Sequence, residues 1–124
     1  MFKIAAAIFV TAFVGVGAAE AHPKLLSATP AAASEGAAPA RIELHFSEKL
    51  VPAFSGMDVQ MVSMPGMTMK TPMKMPVKTS VGPDGMTVIG EPEKPLSAGS
   101  YRVNWHVVST DTHRVAANYM FTVR

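Results

Sequence analysis

The chain has 124 residues, a formal net charge of +2, ten methionines and no cysteine. This length predicts one small domain, and so weak and scattered a charge argues against a nucleic-acid partner. Without cysteine, neither disulfides nor thiolate ligands are available. We therefore expect packing alone to hold the core, and any metal site to use other donors.

Residues 1–21 are predicted to be a secretory signal peptide. A single lysine precedes an apolar run over residues 4–16, and small residues then lead to an Ala19-Glu20-Ala21 end. This order is typical of a signal peptide that is cleaved after Ala21. A retained membrane anchor is the alternative, but the run is short for a span of about 20 residues, and glycines interrupt its end. Cleavage would leave one domain, residues 22–124.

Beyond residue 22 the sequence predicts short strands and turns. In residues 41–47, Ile42, Leu44 and Phe46 alternate with polar or charged side chains, which is typical of a half-buried strand. Other strands are predicted near Lys24 and at residues 54–62, 77–81, 86–89, 101–108 and 115–123. About seven short strands and no helical period indicate an all-β fold, an antiparallel two-sheet sandwich or small barrel.

The segment MPGMTMKTPMKMPVK, residues 64–78, holds five methionines and three prolines. We expect it to be a long loop between strands, and long loops in compact domains are usually functional. Thioethers are soft, neutral ligands that favour Cu(I), whereas Ca²⁺ and Mg²⁺ prefer oxygen. We predict a Cu(I) site drawn from Met61, Met64, Met67, Met69, Met73 and Met75. The alternative is an apolar loop that packs on the sandwich or on a partner, although the prolines and lysines argue against burial.

Cleavage after Ala21 would give His22 a free α-amine. The amine and the imidazole Nδ1 of one residue can chelate a metal together in a six-membered ring. Nitrogen donors suit Cu(II), Zn(II) and Ni(II), and Cu(II) is bound most strongly in the general order of affinities. Taken alone, an N-terminal histidine is weak evidence, because many such positions are accidents of cleavage.

The motif STDTHRV supplies further donors. Asp111 and His113 are two residues apart, so in an extended segment they project to the same side and can complete a nitrogen and oxygen site with His22. The alternative is a turn-stabilising aspartate beside an exposed histidine. His45 and His106 occupy polar-face positions of their strands, where a solvated or cross-strand histidine is the favoured interpretation.

Together these motifs resemble the CopC/PcoC family of periplasmic copper-resistance proteins. The resemblance covers essentially all of residues 22–124 and rests on HPKLLSATPA, IELHFSEKL, MVSMPGM, KPLSAGSYRVNWHVVSTDTH and YMFTVR. It implies an Ig-like, Greek-key β-sandwich or barrel that binds copper without catalysis. By motif, the Cu(II) site of the family falls on His22, Asp111 and His113, and its Cu(I) site on Met61, Met64 and Met67.

The chain departs from the family pattern in two places. Family members often have a histidine two residues after the MPGM motif, where this chain has Met69, and the downstream methionine is duplicated as Met73 and Met75. The cluster is therefore all-thioether, and the choice among these later ligands stays open. Arg114 replaces the proline that commonly follows the D-T-H motif, which should loosen that turn and keep both ligands.

These features predict a periplasmic copper carrier or buffer with a Cu(II) site and a Cu(I) site. It would pass copper to a membrane or outer-membrane transport protein, as a monomer with no membrane span in the mature chain. The alternative is a copper-dependent oxidative enzyme that uses the N-terminal histidine chelate, but the small domain leaves little room for a substrate surface and the Asp111 carboxylate would fill the position that O₂ needs. A plain Ig-like interaction module with a methionine patch would bind no copper tightly.

Overall fold

The structure is a computed structural model that describes residues 22–124. The predicted signal peptide, residues 1–21, lies outside the described residues. The described part contains nine strands and a single 3-10 turn at Pro52–Phe54. The strands are β1 (Leu25–Thr29), β2 (Glu35–Gly36), β3 (Ile42–Phe46), β4 (Gly56–Met64), β5 (Met67–Met75), β6 (Val77–Val81), β7 (Thr87–Pro92), β8 (Gly99–Val108) and β9 (Arg114–Val123).

The strands form two sheets, ordered β1-β3-β7-β6 and β2-β9-β8-β4-β5. Every pairing is antiparallel except that of the two-residue β2 with β9. The predicted all-β, two-sheet Ig-like sandwich is confirmed. Seven of the nine strands correspond to predicted ones, and β2 and β5 are additional. Within residues 22–124, no helix has the length and apolar character that a membrane crossing requires.

Alternating side chains of the two sheets build the core. Ile42, Leu44 and Phe46 of β3 are buried, as the alternation predicts, and so is every second residue of β8 from Tyr101 to Val107. Phe46 meets Trp105 across the sheets, ring edge to ring face, with centroids 5.1 Å apart. The buried hydroxyl of Tyr101 donates to the Ser97 carbonyl at 2.6 Å, so this polar group enters the core with a hydrogen-bond partner.

The methionine-rich segment is not the loop that the sequence predicts. Residues 67–75 form the edge strand β5, which pairs with β4 through a tight turn at Pro65 and Gly66. Gly66 has φ +76°, a left-handed conformation that glycine adopts without steric cost. Prolines and lysines are compatible with this strand because the outer side of an edge strand needs no donor. The hairpin register shifts between Met61 and Ser63.

Candidate metal centres

The turn between β8 and β9 positions Asp111 next to His113. The Ser109 amide donates to the His113 carbonyl at 2.9 Å, and the Thr112 amide donates to the Ser109 carbonyl at 2.8 Å. Thr112 has φ +76°. This tight turn brings Asp111 Oδ1 to 3.1 Å from His113 Nδ1.

Ser109 fixes the carboxylate of this pair. Its side chain is buried, with 1% of its surface exposed, and its hydroxyl donates a very short hydrogen bond to Asp111 Oδ1. This bond, followed by the interaction with His113, holds the pKa of the Asp111 carboxyl below its ordinary value of 3.8. Asp111 is therefore an anionic oxygen donor at neutral pH.

His113 carries a nitrogen that lacks a hydrogen bond. Its Nδ1 is inaccessible to solvent and has no hydrogen-bond partner among the described residues, although the Asp111 carboxylate lies 3.1 Å away. A buried polar atom without a partner is unfavourable, and a bound cation would satisfy it. The rest of the imidazole is open to solvent, with 42% of the side chain exposed, so an ion approaches along the ring and reaches Nδ1 once the side chain turns slightly.

His22 lies against the same turn. Its ring meets that of His113 nearly perpendicularly, at 83°, with centroids 4.8 Å apart. The chain next to it is anchored, since Pro23 is buried and the amide of Lys24 donates to Ser47 Oγ at 2.8 Å. His22 itself is exposed. His22 and His113, 91 positions apart in sequence, thus meet at one end of the sandwich.

The contacts among these three side chains are pairwise. His22 contacts His113, and His113 contacts Asp111. Within residues 22–124, no three His, Asp or Glu side chains already converge as a complete metal cluster. A closed coordination sphere at this place therefore needs a small rearrangement or a further donor, such as a main-chain amine.

The six candidate methionines divide into two groups. Met64, Met67 and Met73 are 37%, 52% and 51% exposed, and Met64 pairs directly with Met67 across the hairpin turn. Met69 and Met75 are partly buried and pack against the core. Met61 is only 4% exposed and belongs to the core itself. Met73 is its direct cross-strand partner, so both side chains lie on one face of the sheet.

Ser109 is a member of the site that was not expected from the sequence. Its hydroxyl both donates to the Asp111 carboxylate and accepts from the His113 amide at 3.3 Å. The signal available in the sequence was the spacing, a serine two residues before the aspartate and four before the histidine. Serine in that position commonly bonds to nearby backbone in a turn.

A model of the CopC domain matches residues 25–124. The chain belongs to the CopC family of copper-resistance proteins. The family expected from the sequence motifs is therefore confirmed, and the match spans nearly the whole described part of the chain.

Individual CopC relatives are similar over most of their length. The copper resistance protein C of Pseudomonas syringae pv. tomato is 52% identical over 106 residues, which cover 86% of this chain and 83% of the relative. The protein of the same name from Xanthomonas campestris pv. juglandis is 44% identical over 117 residues, covering 94% and 91%. The crystal structure of PcoC from Escherichia coli, a methionine-rich copper resistance protein, superposes with a TM-score of 0.77 at 44% identity and covers 84% of this chain and 100% of PcoC.

Proposed function

We propose that this CopC-family chain is a periplasmic copper-binding carrier or buffer that acts in copper resistance or homeostasis. The observation that carries the proposal is the meeting of His22, His113 and Asp111 at one end of the sandwich. The copper-resistance names of its relatives support the same metal. Copper is cargo for such a protein, and no reaction is assigned to the chain.

The Cu(II) site would consist of His22, His113 and Asp111 after removal of residues 1–21. Cleavage supplies the α-amine of His22, a donor that the three side chains do not provide. One amine, two imidazoles and one carboxylate form the nitrogen and oxygen set that Cu(II) prefers. The unpaired Nδ1 of His113 and the anionic Asp111 support this assignment, and Ser109 would hold the carboxylate in place.

The Cu(I) site would use the exposed thioethers of the β4–β5 hairpin. Of the six methionines expected from the sequence, Met64, Met67 and Met73 are accessible to an ion from solvent. Met69 and Met75 would join them if the edge of the sheet opens slightly. We give Met61 a packing role because it is almost completely buried.

This arrangement supports transfer of Cu(I) to a partner. Thioethers are neutral and are not protonated at physiological pH, so they release a soft ion without proton uptake. An exposed edge hairpin lets a second thioether-rich protein approach the bound ion. We propose a membrane or outer-membrane copper transport protein as that partner.

Two sets of variants test the proposal. One replaces His113 with alanine, and the other replaces Met64, Met67 and Met73 with leucine, which removes sulfur at nearly constant volume. Each protein is titrated with Cu(II) and, under reducing conditions, with Cu(I), against competing chelators. The His113→Ala protein should lose Cu(II) affinity and keep Cu(I) affinity. The protein with leucine at positions 64, 67 and 73 should lose Cu(I) affinity and keep Cu(II) affinity. Equal loss of both ions in both sets would refute two separate sites.

A further inference from the structure

A second polar cluster lies on the outer face of the other sheet, away from the residues assigned above. We name Glu43, His45, Asp84 and Thr87 the His45 cluster. Glu43 and His45 are on β3, Thr87 begins β7 directly opposite His45, and Asp84 is in the turn before β7. From the sequence pattern, His45 was expected to be only a polar-face histidine of its strand.

Hydrogen bonds determine which imidazole nitrogen of His45 carries the proton. The Thr87 hydroxyl donates its single proton to Asp84 Oδ2 at 2.8 Å. Its oxygen also lies 3.0 Å from His45 Nδ1, and it has no second proton to give. Thr87 must therefore accept from Nδ1–H, which leaves the lone pair of the neutral ring on Nε2.

The Asp84 carboxylate, which accepts from Thr87, is itself held in place by the backbone. Asp84 Oδ1 accepts from the Met86 amide at 2.9 Å, and this bond together with the Thr87 hydroxyl lowers the pKa of the Asp84 carboxyl. Asp84 remains an acceptor at neutral pH, so the direction of the Thr87 bond is defined. Metal-bound histidines usually donate their other ring N–H to an outer-shell acceptor, and here the Thr87 hydroxyl, held by Asp84, is that acceptor.

Glu43 aims an oxygen at the free nitrogen of His45. Its Oε2 accepts from Arg41 Nε at 3.0 Å, while Oε1 lies 3.8 Å from His45 Nε2. A tetrahedral ion bound at about 2.1 Å from each atom needs them about 3.4 Å apart. A shift of about 0.4 Å therefore brings both donors onto one ion, and the 43% exposed imidazole has room for it.

We propose that His45 Nε2 and Glu43 Oε1 form a surface binding site for Zn(II), whose tetrahedral geometry suits their separation. The ion has two protein donors and keeps water in its other positions, so the site is weaker than one with four donors and fills when metal is in excess. It shares no ligand with the His22 site. Loss of zinc binding at His45 and loss of copper binding at His22, Asp111 and His113 can therefore be told apart.

Zn(II) and imidazole nitrogen NMR test the site. In ¹⁵N-labelled protein purified after export, long-range ¹H–¹⁵N spectra of the metal-free form should show His45 with Nδ1 protonated and Nε2 unprotonated. Titration with zinc chloride should then shift the His45 Nε2 resonance in a saturable manner. Glu43→Gln should weaken this binding at least tenfold while leaving the titration of His22 and His113 unchanged.

His106→Gln is the matched control, because His106 is an exposed histidine on the other sheet and its replacement should leave zinc binding at His45 unaltered. Thr87→Val tests positioning, since it keeps the side-chain shape and should allow the other tautomer to appear. A metal-free His45 protonated at Nε2 would overturn the proposal. So would a Glu43→Gln protein that binds as the parent does, or a His45 shift no larger than that of His106.

Discussion

Replacing Met61 separates the packing role that its burial indicates from the ligand role that its motif suggests. The side chain is 4% exposed and sits among the buried residues of both sheets. Truncation of a buried methionine to alanine costs about 2–5 kcal/mol, since apolar contacts are lost and a cavity remains. We expect Met61→Ala to lower the free energy of unfolding by about 3 kcal/mol. Met67→Ala, at a position 52% exposed, should lower it by less than about 0.5 kcal/mol.

Urea unfolding followed by the fluorescence of Trp105, the single tryptophan, measures both values. At an m-value near 1.3 kcal/mol/M, Met61→Ala should lower the midpoint by about 2 M. Cu(I) affinity is then compared in Met61→Leu and Met67→Leu, which remove sulfur and retain volume. We expect Met67→Leu to weaken Cu(I) binding and Met61→Leu to leave it unchanged. A Met61→Ala protein as stable as the parent would contradict the packing role of Met61. A Met61→Leu protein that loses as much Cu(I) affinity as Met67→Leu would contradict the assignment of the exposed methionines as the ligands.

Three further predictions concern titration and backbone geometry. Asp84 and Asp111 have lowered pKa values, so the stability they contribute is complete above about pH 5 and is lost as pH falls through the lowered pKa. Urea midpoints between pH 2 and 5 should therefore fall less steeply in Asp84→Asn and Asp111→Asn. Burial raises the pKa of Tyr119 to about 12 from 10.0, so the free energy of unfolding should decline from pH 10 to 12, and the decline should be smaller in Tyr119→Phe. At pH 7 this variant should be at least as stable as the parent in thermal unfolding, because the buried hydroxyl has no hydrogen-bond partner among the described residues. Gly99 has φ +154°, and a Cβ there would collide with the Ser63 carbonyl oxygen. Gly99→Ala should therefore lower the free energy of unfolding by at least about 2 kcal/mol in urea, and an unchanged urea midpoint would contradict this.

The strands with alternating patterns were predictable because burial on one face selects apolar residues at every second position. This holds for β3 and β8, each with one face in the core. It failed for β5, where prolines and lysines occupy an edge strand that has a shifted register. An edge strand has only one hydrogen-bonded neighbour, so its sequence is less constrained and resembles that of a loop.

The candidate sites were predictable in part. His22, Asp111 and His113 were identified by donor chemistry, and the fold brings them into contact. The burial of Met61 was not predictable, because a thioether fits a core as well as it binds a soft ion. The hydrogen bonds that run from Asp84 through Thr87 to His45 were also missed. They depend on the pairing of β3 with β7, which brings together His45 and Thr87 from positions 42 residues apart in sequence.

Cu(II) titration with EPR detection tests whether the N-terminal amine and ring of His22 anchor the Cu(II) site. Two proteins are compared, one that begins at His22 and one with a single glycine added before it. The addition preserves every side chain and removes only the α-amine from the chelate of His22. We predict that the protein beginning at His22 binds one Cu(II) tightly with a nitrogen-rich spectrum, and that the glycine-extended protein binds far more weakly. Equal binding by the two proteins, or none by either, would contradict a Cu(II) site anchored at His22.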